Sequence, residues 1–374
     1  MKKVYLDNAS TTQLRPEVIQ EMTKVLSEDF GNPSSTHSFG RNAKSVLELS
    51  RKTIAKYLNC SSQEIIFTSG GTEANNWIIR SAIKDLKIER IILSKIEHHA
   101  VLHTVETLEK EFNIQVDYVE VKSNGEIDIS HLVELLSLEK KTLVSLMHVN
   151  NEIGTVLNLD KVGRICQQHN ALFHSDTVQS IGKTEIDLAN LPINFLVASA
   201  HKFHGPKGIG FAFVRKNSGL QPIFYGGEQE KGLRPGTEGV HQIAGMAKAI
   251  SLSYSNLEKE RQQISELKRY LISQLELEIP EFKINGSQDG FYTIVNLLLP
   301  FSEDKTAMIL FNLDMKGIAV SRGSACQSGS ISVSHVLKEL ISIEDLKKPS
   351  LRISFSHFNT KEDIDLLIEG LRGI

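Results

Sequence analysis

Cysteine is scarce in this 374-residue sequence, and the three present, Cys60, Cys166 and Cys326, form no CxxC pair. That spacing excludes a disulfide framework and leads us to expect free thiols in a reducing, cytoplasmic compartment. An excess of one charge is also missing. With 42 Lys and Arg against 45 Asp and Glu, the net charge is −3, which gives no electrostatic reason to expect nucleic acid or an anionic membrane as partner. No apolar run approaches the ~18 residues of a spanning helix. The amino terminus reaches Asp7 too early for a signal peptide. There is no low-complexity tract and no obvious repeat. What is present, 40% hydrophobic and 23% charged residues, fits a globular protein long enough for two domains.

From about residue 40 to 215, short β-branched apolar runs alternate with stretches of helical period. Such runs include EIIFT ending at Thr68, RIILS ending at Ser94, and others closing near Met147, His174, Ala198 and Val214. Strands separated by helix-length crossovers predict a mostly parallel sheet covered on both faces. Beyond the Gly226-Gly227 and Arg234-Pro235-Gly236 loop, one long amphipathic helix is predicted from Val240 to about Leu277. A smaller α/β unit then follows. Ligands of such sheets gather at the C-terminal strand ends, so those residues carry the functional reading.

After EIIFT come Ser69-Gly70-Gly71-Thr72. They read as a helix start able to cradle an anion, or as a turn with a threonine cap. Asp176, with Gln179 beyond it, follows the strand near His174, as a functional carboxylate or a cap. Lys202 sits past a buried strand in Ser199-Ala200-His201-Lys202, as a solvated amine or one able to join an aldehyde. An anion cradle, an acid and an amine at successive strand ends are together what pyridoxal phosphate needs. His98, after RIILS, is a candidate to stack on its ring and move protons. Arg352 lies between apolar residues and calls for either a substrate carboxylate or an internal acid. Cys326, inside Gly323-Ser324-Ala325-Cys326-Gln327-Ser328-Gly329, has none of the apolar neighbours of a structural thiol, and an exposed thiol on a mobile loop is expected. Cys60 and Cys166 have structural contexts.

Ordered motifs along nearly the whole chain resemble the NifS/IscS-type cysteine desulfurases of the class V aminotransferases, which are fold type I enzymes dependent on pyridoxal 5'-phosphate. They are Tyr5-Leu6-Asp7-Asn8-Ala9, Gly31-Asn32-Pro33-Ser34-Ser35-Thr36-His37, Thr68-Ser69-Gly70-Gly71-Thr72-Glu73, Glu97-His98, His148-Val149-Asn150-Asn151-Glu152, Asp176 with Gln179, Ser199 to Gly208, Gly226-Gly227-Glu228-Gln229-Glu230, Arg234-Pro235-Gly236-Thr237, Gly323 to Cys326, and Arg352. The resemblance implies a large cofactor-binding domain (15–257) with a mostly parallel seven-stranded sheet. The small α/β domain (1–14 and 258–374) would carry the cysteine loop. It also implies removal of sulfur from L-cysteine, giving L-alanine and a persulfide on Cys326 for iron–sulfur assembly or tRNA thiolation. Lys202 would hold the cofactor, Asp176 pair with the ring nitrogen, and Gln179 bond the phenolic oxygen. His98 would act on the ring face as acid and base. Gly71, Thr72, Ser199 and His201 would take the phosphate, with Thr237 reaching in from the second subunit of a homodimer. Asn151 would contact both cofactor and substrate, and Arg352 would hold the substrate carboxylate. No resident metal is implied, although Cys326 is a candidate transient iron–sulfur ligand. The alternative is another class V enzyme, an aminotransferase or a selenocysteine lyase. The sequence departs from the pattern at Ala200, Arg322, Gln327 and His357. It also ends without the longer tail of IscS proteins, which leaves the acceptor open between a scaffold and a tRNA-thiolation enzyme.

Overall fold

A computed structural model describes residues 2–322 and 333–373. After β1 (Val4–Tyr5) come the helices Pro16–Glu28 and Ser38–Tyr57 and then the strands of the large sheet: β2 (Ile65–Thr68), β3 (Arg90–Ser94), β4 (Gln115–Val119), β5 (Thr142–Ser145), β6 (Leu172–Asp176), β7 (Phe195–Ser199) and β8 (Gly210–Val214). Their order is β2-β8-β7-β6-β5-β3-β4. Only β8 runs antiparallel to its neighbours, so the sheet is mostly parallel as predicted. Adjacent residues point to opposite faces, and both faces are buried. Ile92, Val144, Leu196 and Phe211 pack into one core. Ile91, Leu143, Val197 and Ala212 pack into another.

A further core gathers around β9 (Lys283–Asn285), β10 (Ile294–Leu298), β11 (Ile318–Ala319) and β12 (Ser350–Ser354), with Leu271, Ile309, Ile364 and Leu367 beneath them. β10 lies between β12 and β9, antiparallel to both. β1 pairs in parallel with β11, so Val4 and Leu6 join this core, far from it in sequence. The long helix predicted from Val240 is two helices, Val240–Ser255 and Leu257–Glu278. The break falls at Asn256, whose backbone amide at 3.1 Å and side-chain amide at 2.8 Å both donate to the Leu252 carbonyl and close the first helix there. β6 runs on through Asp176, so that carboxylate is the last residue of the strand and not the residue after it. Among the described residues, no helix is long and apolar enough to cross a membrane.

Candidate active site

The C-terminal ends of β2, β6 and β7 meet at one cavity of about 200 Å³. The helix Gly71–Lys84 begins there without a side-chain cap. Gly70 holds φ +154°, and a Cβ on Gly71 would lie 2.6 Å from Val178 Cγ2, so neither position tolerates a side chain without displacement. The glycines therefore bring the first amides of this helix, together with Thr72, to the cavity wall. Ser199 and His201 line the same wall. His201 is pushed down to about 4, by burial first and by Lys202 second, and stands there as a neutral ring.

Asp176 is 5% exposed. Its Oδ2 accepts from Asn75 Nδ2 at 2.8 Å and its Oδ1 from the Val178 amide at 3.0 Å. These fixed donors orient the carboxylate and leave further lone pairs for a proton-bearing ring nitrogen. His98 caps the helix His99–Phe112: its Nδ1 accepts the Ala100 amide at 3.0 Å. A nitrogen that accepts cannot carry the proton, so the neutral ring is protonated at Nε2. Burial holds His98 below the ordinary histidine range, against the opposing pull of Asp176. Lys202 reaches the cavity from the turn after β7, and its Nζ donates to the Ala9 carbonyl at 2.6 Å and the Ser10 carbonyl at 2.9 Å. Gln179 Nε2 gives one proton to Ala9 O at 2.8 Å and keeps a second, while its Oε1 is buried without a partner.

Arg352 enters from β12 and is 1% exposed. Of its two readings, the structure shows the internal acid. Nη2 donates to Asp7 Oδ1 at 2.8 Å and to Ser10 Oγ at 2.6 Å, and Nη1 to the Asn151 carbonyl at 2.9 Å. The internal acid is therefore Asp7, and Nε is buried without a hydrogen-bond partner. Asn151 lines the cavity beside it.

The cavity thus gathers Gly71, Thr72, His98, Asn151, Asp176, Gln179, Ser199, His201, Lys202 and Arg352. Thr237 is not among them. It lines a separate cavity with Thr68, Ser69 and Arg234. Cys326 lies outside the described residues. Burial pushes the thiols of Cys60 and Cys166 up to about 12, which fits structural roles. His357 is not in the cavity. It packs on His204 with ring centroids 4.5 Å apart and sits 3.6 Å from Glu260. The residues present fit pyridoxal phosphate. An uncapped helix start suits its phosphate, a doubly anchored carboxylate suits its ring nitrogen, and an amine suits its aldehyde. The unsatisfied Gln179 Oε1 and Arg352 Nε are polar atoms that an occupant could satisfy. Among the described residues no group of three or more His, Cys, Asp or Glu is arranged to hold a metal.

Sequence reasoning assigned no role to Asn75, which steadies Asp176, or to Asp7 and the Ala9-Ser10 carbonyls, which steady Arg352 and Lys202. The only signal for Asp7 and Ala9 was their place inside the motif Tyr5-Leu6-Asp7-Asn8-Ala9, which Ser10 follows, and Asn75 lies two residues beyond the motif that ends at Glu73.

Residues 4–367 match the family model for class-V aminotransferases. Over 373 residues, 99% of this chain and 94% of the relative, the sequence is 41% identical to a protein named cysteine desulfurase IscS from Clostridium botulinum (strain Hall). A solved NifS-like protein superposes with a TM-score of 0.92 at 33% identity, covering 100% of this chain and 99% of the other. The structure described as SspA in complex with cysteine superposes with a TM-score of 0.82 at 31% identity, covering 96% of this chain and 100% of the other.

Proposed function

The chain belongs to the class-V aminotransferase family, in its NifS/IscS-like cysteine desulfurase group, and from that premise we propose how its residues divide the work. It is a pyridoxal-phosphate-dependent cysteine desulfurase of fold type I. When bound, the cofactor supplies an electron sink that makes the substrate Cα proton acidic. Lys202 would hold the cofactor by its aldehyde, and Asp176, oriented by Asn75, would keep the ring nitrogen protonated. The amides and Thr72 hydroxyl at the start of Gly71–Lys84 would bind the phosphate with Ser199 and His201, and the free Gln179 Nε2 proton would meet the phenolic oxygen. His98, with its proton at Nε2, would serve as acid and base at the ring. Arg352 and Asn151 would orient the L-cysteine carboxylate, which fixes the substrate sulfur relative to the carbon that gives up its proton.

Cys326 as thiolate would attack the substrate sulfur. The substrate C–S bond breaks and an S–S bond forms. The proton equivalent of the thiol ends on the former Cβ, so L-cysteine and an enzyme thiol become L-alanine and an enzyme persulfide. The substrate carbon is reduced and the sulfur pair oxidised in equal measure, so no outside oxidant is needed. Cys326 is four residues from Arg322 and seven from Val333, which limits its reach from Arg322 to roughly 14 Å of extended chain. Delivery to an iron–sulfur scaffold or a tRNA-thiolation enzyme, a transient cluster ligand role for Cys326, action in the cytoplasm, and a homodimer all belong to this reading. The position of Thr237 outside its own chain's cofactor cavity supports a role at the second copy's phosphate. The separate core that joins residues 4 and 6 to the C-terminal strands supports small-domain bounds of 1–14 and 258–374.

The observation that carries this reading is the convergence of Lys202, Asp176, His98 and the glycine-opened helix start on one cavity. The test is Cys326→Ala. It should bind cofactor and show the wild-type absorbance response to L-cysteine, yet produce no alanine. Retained turnover would instead indicate an aminotransferase or lyase that does not use this thiol.

A further inference from the structure

The chain on either side of residues 323–332 is fastened to the wall of the cofactor cavity. On the N-terminal side, Arg352 N donates to Ser321 O at 2.7 Å and Ser321 N to Arg352 O at 3.2 Å. Arg322 Nη1 also donates to the Thr306 carbonyl at 2.9 Å. On the C-terminal side, Ser334 Oγ donates to Glu152 Oε2 at 2.5 Å while accepting the Leu337 amide at 3.2 Å. His335 Nε2 meets the Glu97 carbonyl at 2.9 Å, and since a carbonyl only accepts, that nitrogen carries the proton. The acceptors are rigid. Glu152 is fully buried, its amide bonded to Asn150 Oδ1 and its carbonyl to Asn296 Nδ2. Glu97 is 1% exposed and tied through Oε1 to Ser94 and the Met147 amide. The His335 ring packs against His99 at 4.3 Å, and His99 against His103 at 4.7 Å.

Apart from Thr306, each anchor is a cavity residue or the chain neighbour of one. Arg352 lines the cavity itself, Glu97 precedes His98, and Glu152 follows Asn151. We propose that Ser334 and His335 are positioning residues for sulfur transfer: a two-point anchor that holds the root of the Cys326-bearing segment in register with His98 and Asn151. The proposal rests on Cys326 as the nucleophile. Two hydrogen bonds to buried, immobile acceptors fix where the chain emerges, eight residues beyond Cys326. Without them the chain at residues 334 and 335 is no longer fixed relative to His98 and Asn151, and sulfur transfer becomes less frequent.

Ser334→Ala and His335→Leu should each lower kcat for alanine formation about tenfold, the loss expected from one such bond. KM for L-cysteine and cofactor affinity should stay at wild-type values, because neither residue lines the cavity. In single turnover, the absorbance response to L-cysteine should keep its rate while persulfide formation slows. Ser334→Thr and His335→Gln, which restore a donor, should recover most of the loss. Should one variant also lower the thermal midpoint, the other carries the test. Wild-type kcat in both, or a loss appearing equally in KM and cofactor binding, overturns the anchor. Cys326→Ala run in parallel separates the two ideas: if it turns over, the nucleophile assignment fails; if it is inactive while both anchor variants are normal, only the anchor fails.

Discussion

β2 is an edge strand, and its outward backbone groups are covered by an ion pair in place of another strand. Arg51 and Glu230 form a two-pronged pair, Nη1 to Oε2 and Nη2 to Oε1, both at 2.7 Å. Glu230 Oε2 also accepts the Phe67 amide at 2.8 Å, and Arg51 Nη1 donates to the Ile65 carbonyl at 2.9 Å. Residues 65 and 67 share one edge of the strand, so the two side chains close it against pairing. Both are buried, at 2% and 4% exposure. Burial opposes the Arg51 charge, and Glu230 outweighs it, holding the guanidinium above its ordinary range. Glu230→Ala strands the Phe67 amide and leaves the buried guanidinium with Glu48 alone, 3.3 Å from Nε. Breaking one partner of a buried pair costs about 3–5 kcal/mol. At roughly 2–4 °C per kcal/mol for a domain of this size, the thermal midpoint should fall by about 6–20 °C. Arg51→Met with Glu230→Leu removes both charges but leaves the Phe67 amide and Ile65 carbonyl unpaired. It should therefore lie above Glu230→Ala and below wild type. Differential scanning fluorimetry of the three cofactor-loaded proteins checks this order. A Glu230→Ala midpoint within about 3 °C of wild type, or a double variant no better than the single, refutes the edge-closing role.

Gly71→Ala should weaken cofactor binding at least tenfold, because its Cβ would meet Val178 Cγ2 at 2.6 Å. Adding Val178→Ala should restore much of the affinity in a cofactor titration, and failure to do so would remove the steric explanation. Glu97 is raised to about 8, first by burial, with Ser94 and the Met147 amide opposing and Asp176 adding to the rise. Near pH 7 the folded state therefore holds a proton that the unfolded chain has lost. Stability from this group should decline as pH climbs from about 4.5 to 8, and Glu97→Gln should flatten that slope in thermal midpoints measured across the range. His148 and His174 move the other way: burial holds both at about 4, so the unfolded chain binds protons first and stability should drop below about pH 6.5. His174→Gln should reduce that acid sensitivity in urea melts at pH 5, and an unchanged slope would count against it. Asn75→Ala should lower kcat by about tenfold by loosening Asp176, with rescue by Asn75→Ser, read from steady-state rates.

The alternation of apolar runs was enough to predict a mostly parallel sheet, because strands buried on both faces admit few polar residues. Glycines at 70 and 71, an acid at 176 and an amine at 202 stood out as chemistry at strand ends, where a parallel sheet exposes its binding crevice. The break at Asn256 is not legible in the sequence, because an asparagine fits a helical period and only the folded chain shows its side chain bonding a carbonyl of the preceding turn. The edge-closing role of Glu230 was equally hidden, since it is 163 residues from the amide it accepts.

Local sequence therefore determined which groups are available, since period, turn chemistry and residue type act over a few positions. Only the folded chain decided which of them meet. Asp7 reaches Arg352 across 345 residues, Asn75 reaches Asp176 across 101, and Lys202 is held by carbonyls 193 and 192 residues away. The protonation of Glu97 and His98 was likewise a tertiary outcome, because desolvation depends on every element packed around a group and not on its neighbours in the chain.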